Sequence, residues 1–329
     1  MTNHEQHGPN LFARAVGLAL GIALDRKLSD PQRWHPVAGI GRWAAWLEGM
    51  LWRDSRMSGA LFTLATLTPL VTAAACAERA TNRRPHASAR RGSAYAASVG
   101  LVAWTAVGAR QLAETGRRMA DLLDGGDVEG ARSLLPHLCG RLADGLDESE
   151  LARATIESLA ENTSDAVIGS LVWGAALGLP GLVLHRTANT LDAMVGHRSP
   201  RYARFGTASA RLDDLVNLVP ARATGALFAG LAPLVCGRPR HAWRIVLRDH
   251  SRHPSPNGGW CEAAMAGALG VRLGGRNVYP GGRVEDRPVL GEENRACTAD
   301  DVRRAARMVD ATTLTATALV VALLTRGRR

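Results

Sequence analysis

The chain has 329 residues with 40 basic and 30 acidic side chains, and 46% of the residues are hydrophobic. This composition excludes a disordered or collagen-like chain, and the length allows a substantial buried core. Lys27 is the only lysine and has no Gly-Lys-Ser/Thr frame, so there is no P-loop, and pyridoxal chemistry would depend on this one side chain.

The basic surplus does not indicate a nucleic-acid partner. Aromatic residues make up 5% of the chain, and no Cys₂His₂ spacing, basic heptad region or RNA-binding signature occurs. The five cysteines lie at least 25 residues apart, so no CxxC metal or redox motif exists. We expect no nucleic-acid binding, and the odd number of cysteines argues against a disulfide framework.

Uncharged stretches are the main large-scale feature of the sequence. Residues 57–77 lie between Arg56 and Glu78, and residues 92–109 lie between Arg91 and Arg110. Both stretches are long enough to cross a bilayer. Three shorter stretches, 16–24, 223–237 and 311–325, are each compatible with a tilted span, an interfacial helix or a buried core helix. The sequence predicts a membrane protein, with a soluble Ala-rich helical protein as the alternative.

The most polar segment covers residues 110–165 and is predicted to be helical. Asp147 and Glu150 form a capping pair that starts a helix running to about Asn162. Near its end, Glu157, Glu161 and Asp165 recur every four residues on one stripe. Like charges at this spacing repel, so arginine or a divalent cation should offset them, unless the stripe is a solvated acidic face.

The residues that follow this helix predict an anion site. Asn162 to Asp165 would cap the next apolar helix and present backbone N–H groups to phosphate oxygens. That apolar run, residues 166–184, is interrupted by Gly178-Leu179-Pro180-Gly181. Proline with glycine ends a helix, so we expect two short helices at about 166–178 and 181–195.

The second of these helices carries polar residues on one face. His185, Asn189 and Asp192 are spaced i, i+4 and i+7, and Gly196 is expected to close the helix at its C′ position. The hairpin is expected to bring Asp192 near Asp165. An isolated histidine on such a helix is otherwise a satisfied core residue.

A third polar cluster contains Arg211, Asp213, Asp214 and Asn217, with Arg222 following Pro220. Carboxylate and amide oxygens suit Mg²⁺, and arginine forks suit phosphate. A surface lattice of ion pairs is the alternative.

A proline-rich loop provides the fourth cluster. His253-Pro254-Ser255-Pro256-Asn257 is followed by two glycines, which predicts a rigid loop that positions Asn257 and its neighbours. Strand alternation is weak throughout, with one short extended piece possible at 271–279. The predicted fold is all-α: a polytopic helical membrane protein, residues 1–329 forming a single embedded domain, with short broken helices and polar loops forming the site.

These motifs together resemble the adenosylcobinamide-phosphate synthase family of cobalamin biosynthesis. The resemblance rests on Glu157–Asp165, on Asn189–Gly196 continuing through Asp213-Asp214 to Arg222, on His253–Asn257 with Glu262–Gly270, and on Asp30-Pro31 with His35-Pro36. It covers roughly residues 15 to 325, in order and at the family's spacing.

The resemblance implies an integral enzyme of the cell (inner) membrane, multi-pass, with its active site facing the cytoplasm. It would be an amide-forming ligase that attaches (R)-1-amino-2-propanol phosphate, or free aminopropanol, to adenosylcobyric acid with ATP and Mg²⁺. The product would be adenosylcobinamide phosphate.

Roles for the polar clusters follow from this resemblance. The metal would be held by Glu157, Glu161, Asp213 and Asp214. Glu161, Asp165 and Asp192 would be catalytic, with the base either Glu161 or Asp165. Substrate and phosphate contacts would come from Asn162, Asn189, Arg211, Arg222, His253 and Asn257. Two other classes stay open: a corrinoid membrane transporter or assembly factor without ligase activity, and a soluble metal-dependent phosphohydrolase.

Overall fold

The computed structural model describes residues 10–29, 35–82, 89–197 and 199–326; Asp30-Pro31 of the family resemblance lies outside them. The helices are α1 (Leu11–Leu28), α2 (Pro36–Leu51), α3 (Arg56–Asn82), α4 (Ala89–Val107), α5 (Ala109–Asp124), α6 (Val128–Leu134), α7 (Glu148–Asn162), α8 (Gly169–Leu177), α9 (Leu179–Leu191), α10 (Thr207–Val216), α11 (Leu218–Leu231), α12 (Pro239–Asp249), α13 (Gly258–Leu269) and α14 (Ala299–Arg326). Strands β1 (Leu273–Tyr279) and β2 (Arg283–Leu290) form one antiparallel hairpin. The prediction of an all-α fold is confirmed.

Three helical segments in the described part of the chain are long and apolar enough to cross a membrane: Arg56–Thr81, Leu218–Val235 and Ala299–Arg326. The first contains the predicted span 57–77. The predicted span 92–109 is not one continuous helix, because Gly108 adopts a positive φ of 59° between α4 and α5. The chain is therefore a helical membrane protein whose candidate spans differ in part from those expected.

The chain divides into two compact units, each assembled from separate segments. Unit 1 contains Met1–Gly108, Gly169–Val216 and Thr317–Arg329, and unit 2 contains Ala109–Ile168 and Asn217–Ala316. The expected single domain over residues 1–329 stays a prediction.

In unit 1, helices α1 and α4 pack closely because glycines remove side chains from their contact. A Cβ atom on Gly17 would lie 2.6 Å from the carbonyl oxygen of Ala96, and one on Gly21 would lie 2.6 Å from Cβ of Ala103. Gly17 and Gly21 are four residues apart, the spacing that lets helix backbones approach in membranes.

The predicted break between α8 and α9 is confirmed and is held by a buried ion pair of unit 1. Gly178 has φ 69°, and Pro180 lies in the first turn of α9, where its missing N–H is not needed. The backbone N–H of Leu179 donates to Glu78 Oε2 at 2.7 Å, and Arg14 Nη2 donates to Glu78 Oε1 at 2.7 Å. The turn is therefore fixed from α1 and α3.

Unit 2 is built around α13, an alanine-rich helix. Ten of its twelve residues are alanine, glycine, leucine, methionine or cysteine, and it packs against α7, α11 and α12. Small side chains let these helices approach on every side, so α13 is almost entirely buried. The one carboxylate of this helix, Glu262, is therefore held in the interior.

Candidate active site and metal centre

The local structure of α7 follows the predicted capping signal. Asp147 accepts from the backbone N–H of Glu150, and Glu150 returns a hydrogen bond to the backbone N–H of Asp147. The capping box fixes the start of the helix, and α7 then carries Glu157 into the interior of unit 2 and Glu161 to a half-buried position.

The predicted helix cap at Asn162 to Asp165 is wrong, because the helix does not restart there; the substrate contact expected of Asn162 stays a prediction. Residues Thr163–Ile168 form a π-helical turn that joins α7 to α8 without a free N-terminus. Asn162 Nδ2 donates to the carbonyl of Ser158 at 2.9 Å, and Thr163 Oγ1 donates to the carbonyl of Leu159 at 2.6 Å. These bonds keep the chain helical and leave no set of N–H groups for phosphate.

Arginine neutralises Glu157. The side chain is fully buried and forms ion pairs with Arg141 and, at 3.2 Å, with Arg153. Its Oε1 also accepts from the backbone N–H of Gly274 at 2.6 Å. Of the two offsets expected for the acidic stripe, arginine is the one found at this position.

Glu161 lies in a different environment, together with His253 and Glu262. Among the described residues these three form the group whose ligand atoms could hold a metal ion, with all of those atoms within 4.8 Å of one another. His253 Nε2 lies 3.3 Å from Glu262 Oε1. Glu262 Oε2 is buried and receives no hydrogen bond from a described N–H group. Two carboxylates this close need a shared proton or a cation between them.

The two neighbouring carboxyl groups, Glu161 and Glu262, have pKa values shifted in opposite directions. Burial and the adjacent Glu262 raise the pKa of Glu161 to about 7. Burial also opposes ionisation of Glu262, but the hydrogen bond and charge of His253 and the charge of Arg287 outweigh it and lower the pKa of Glu262 to about 2. In turn Glu262 overcomes the effect of burial on His253 and raises its pKa. Glu262 is therefore the carboxylate that stays ionised, and Glu161 is the one that takes up and releases a proton near neutral pH.

The β-hairpin supplies the arginine. β1 pairs with β2 from Tyr279↔Arg283 to Gly275↔Arg287, followed by an irregular register, and Gly274 and Gly275 both have φ 90°. Arg287 is the last regularly paired residue of β2 before this irregularity. Its Nη1 lies 3.5 Å from Glu262 Oε1 and 3.2 Å from His253 Nε2. Its Nη2 donates to the hydroxyl of Tyr279 at 3.2 Å.

The proline-rich loop positions His253 through a hydrogen bond within the loop. The backbone N–H of Ser255 donates to His253 Nδ1 at 3.0 Å, which leaves Nε2 to carry the proton toward Glu262. Gly258 follows directly, and a Cβ there would lie 2.7 Å from His253 Cε1 and 2.9 Å from Glu161 Oε1. The glycine therefore keeps the space beside the two side chains open.

Two predicted phosphate-binding residues also meet in unit 2. Arg222 Nη1 lies 3.4 Å from Asn257 Oδ1 and 2.8 Å from the carbonyl of Leu218. The guanidinium carbon is 5.0 Å from the ring centre of Trp260, a cation–π distance. Asn257 is buried, and Arg222 is half-buried.

The remaining predicted residues lie in unit 1. His185 is fully buried against Gly169, where a Cβ would lie 2.1 Å from its ring. Asn189 accepts from Arg186 Nη1 at 3.3 Å. The expected C′ role of Gly196 is wrong: Asp192–Gly196 form a π-helical turn, and Gly196 does not have a positive φ.

Acidic residues of this unit do influence one another. Burial raises the pKa of Asp192, the nearby Asp214 adds to this, and His197 opposes it. Asp214 also has a raised pKa from burial and forms a long ion pair of 3.9 Å with Arg211, which is exposed. Asp213 is half-buried on the same helix, α10. The metal set Glu157, Glu161, Asp213 and Asp214 thus draws on both units, and its metal role stays a prediction.

Sequence reasoning gave no role to Glu262 or Arg287. A signal for Glu262 existed, since it is the only charged residue between His253 and Arg272. A lone carboxylate in a run that is otherwise apolar must find a partner when the run is buried. Arg287 lies in a polar segment with several other charges, so no comparable signal marks it.

Fold and site together define a helical membrane protein with a buried centre of two carboxylates, a histidine and an arginine. A family model described as CobD/Cbib protein matches residues 18–309. The cobalamin biosynthesis protein CobD of Mycobacterium tuberculosis (strain H37Rv) is 46% identical over 315 residues, covering 96% of this chain and 97% of the relative. The protein of the same name from Geobacter metallireducens is 42% identical over 293 residues, covering 88% and 90%.

The chain belongs to the CobD/Cbib family, as the resemblance in its motifs predicts. The matched range includes Glu161, His253, Glu262 and Arg287. No solved structure matches the chain.

Proposed function

We propose that this chain acts in cobalamin biosynthesis as an amide-forming ligase of the membrane. It would join the carboxylate of adenosylcobyric acid to the amine of (R)-1-amino-2-propanol phosphate, or of free aminopropanol, with ATP converted to ADP and phosphate. Membership of the family supports the pathway. The observation that carries the chemistry is the group of half-buried Glu161 with buried His253 and Glu262, beside Arg287.

The donor set fits a divalent cation. Mg²⁺ prefers oxygen ligands and keeps several waters, and Glu161 and Glu262 offer carboxylate oxygens in a buried site. His253 nitrogen is a donor that Mg²⁺ uses less readily, so its main part is to hold Glu262 in place. Bound there, the cation would supply positive charge that neutralises the phosphate groups of the substrates.

The protein's own side chains supply orientation and proton transfer. Arg287 holds Glu262 and leaves guanidinium N–H groups for an anionic oxygen, while Arg222 and Asn257 bind a phosphate group of ATP or of aminopropanol phosphate. Phosphorylation of the substrate carboxylate makes phosphate the leaving group. The amine nitrogen then forms the C–N bond as the C–O bond to phosphate breaks.

One proton must leave the amine, and Asp165 is our choice to accept it. Glu161 is engaged as a ligand in this arrangement and cannot also be the free base. Asp165 lies four residues further along the same helical run and is half-buried. The unit 1 residues Asn189, Asp192, Arg211, Asp213 and Asp214 remain candidates for binding substrate.

The test uses full-length protein purified in detergent with adenosylcobyric acid, aminopropanol phosphate and Mg-ATP. We expect amide product with one ADP released per product. Glu262→Gln should lower the rate by about 10²–10³-fold, as removal of a group that organises charge does in other enzymes. Glu129→Gln, at a side chain that is 82% exposed, is the matched control and should leave the rate unchanged.

The outcomes separate the proposal from the alternative function. No amide and no ADP release by the wild-type protein would contradict the ligase function. Corrinoid transfer across a vesicle membrane without ADP release would favour a transporter. An unchanged rate in Glu262→Gln would remove this site from the chemistry while leaving the ligase function standing.

A further inference from the structure

The outward face of α12 alternates arginine with large apolar side chains. Five exposed residues recur at i, i+3, i+4, i+7 and i+8: Arg240, Trp243, Arg244, Leu247 and Arg248. Leu247 is 68% exposed and Trp243 is 36% exposed. The outward face of a helix that meets water is ordinarily polar, so leucine and tryptophan here need a different surrounding.

The neighbouring helix of unit 2 has an outward stripe without any charge. Val219, Ala226, Gly230 and Leu234 are exposed along α11 and the turn that follows it, and α11 packs against α12. Val219 is 63% exposed and Leu234 is 60% exposed. Unit 2 therefore presents an apolar stripe beside a face of mixed arginine, tryptophan and leucine.

The charge of this region is strongly positive. Residues 236–252 contain five arginines and one acidic residue, the buried Asp249, which pairs with Arg248 at 2.7 Å and with Arg252 at 3.4 Å. Glu293 partly balances the face, since it pairs with Arg248 at 2.9 Å and with Arg244 at 3.8 Å. Arg238 and Arg240 are also exposed and add two positive charges, so the surface keeps a net positive charge.

We propose that the outward face of α12 lies on a bilayer surface rich in anionic phospholipid. Trp243 and Leu247 insert between the headgroups, and the arginines contact phosphate groups with their apolar stems along the acyl boundary. Arginines next to tryptophan are the composition of helices that bind this interface.

Charge alone would suit an acidic protein or a nucleic acid equally well. The apolar residues between the arginines decide the occupant, because burying Leu247 requires an apolar partner at the same depth as the arginine stems. The uncharged stripe of α11 needs an apolar partner as well. A bilayer covers both helices without having to match a specific shape.

The test places a fluorescent label at residue 247 of the full-length protein. Leu247→Cys is labelled with NBD in a background where the exposed Cys76 and Cys236 are serine. The protein is reconstituted in nanodiscs with doxyl-labelled lipid, either purely phosphatidylcholine or with phosphatidylglycerol. Val284→Cys on β2 is the matched control, an apolar side chain 43% exposed.

We expect the label at 247 to emit at shorter wavelength and to be quenched by doxyl lipid, more strongly with phosphatidylglycerol, and the label at 284 to show neither effect. A water-like, unquenched spectrum at 247 in both compositions would overturn the proposal and leave the face for a protein or nucleic acid. Equal quenching in the two compositions would also overturn it, since anionic headgroups would then not hold the helix.

A charge variant tests the arginines directly. Arg240→Gln with Arg244→Gln should lower the ratio of docked to undocked label by about fivefold per arginine in the anionic nanodiscs. Arg276→Gln with Arg283→Gln removes two exposed charges from the hairpin and should leave the quenching at 247 unchanged. The same loss in both double variants would assign the effect to net charge and contradict a docked face.

Discussion

Replacing Glu161 by glutamine tests whether Glu161 and Glu262 share a proton when no metal is bound. The pKa of Glu161 is raised from its ordinary 4.5 to about 7 by burial and by Glu262. The folded protein then binds this proton more tightly than the unfolded chain does. Stability that is fully present below pH 4.5 is therefore lost as the pH rises through 7.

The magnitude follows from the size of the pKa change. Between pH 5 and pH 8, linkage gives a fall of about 2–3 kcal/mol in the free energy of unfolding of the metal-free protein. Glutamine keeps the shape of the protonated acid and offers a permanent N–H donor to Glu262. The Glu161→Gln variant should therefore lose this fall. His253, whose pKa is also raised, leaves a residual pH dependence of the same sign.

The assay is unfolding of the full-length protein in mild detergent with a chelator, at several pH values from 5 to 8. Glu157→Gln is the control, a carboxylate on the same helix that is paired with arginines. It should lower the stability and keep the pH dependence that Glu161 supplies. Millimolar Mg²⁺ should restore stability at pH 8 in the wild type but not in Glu161→Gln. Equal slopes for wild type and Glu161→Gln would refute the shared proton.

Three further predictions use the same preparation. Glu157→Gln should cost about 3–5 kcal/mol of unfolding free energy, because it leaves Arg141 buried without its partner; a loss below 1 kcal/mol would contradict a structural role. Gly178→Ala should cost about 1–2 kcal/mol for its left-handed φ and more for crowding Glu78, whose Oε2 lies 2.3 Å from the added Cβ; unchanged thermal unfolding would count against this turn. Arg287→Lys should weaken binding of Mn²⁺, measured by its electron paramagnetic resonance signal, by about 10–100-fold; equal affinity would show that the guanidinium fork does not orient Glu262.

Features that depend on near neighbours in the sequence were predictable. The capping box needs only Asp147 and Glu150, and the break before α9 needs only Gly178 and Pro180. These signals act within four residues, so no knowledge of the fold is required. The π-helical turn at Thr163–Ile168 shows the limit, because Asn162 has the composition of a cap and instead bonds back to its own helix.

The site was predictable only in part because its members come from distant segments. Glu161, His253, Arg222 and Asn257 were each expected near the chemistry, and the structure groups the first with the second and the third with the fourth. The different surroundings of Glu157 and Glu161 could not be foreseen, since they depend on an arginine 16 residues earlier and on α13 about 100 residues later. Helical periodicity alone places the two carboxylates on one stripe.

The contact between Glu161 and Glu262 also constrains how the chain traverses the bilayer. The two side chains meet inside one compact unit, so the segment that joins them must cross the membrane an even number of times, or not at all. The apolar helix Leu218–Val235 lies within that segment. It therefore either packs on unit 2 without crossing, with Phe228 and Ala229 facing the core, or is matched by a second crossing elsewhere between residues 162 and 261. Counting that helix as a single crossing would place Glu161 and Glu262 on opposite sides of the membrane, which their contact inside unit 2 forbids.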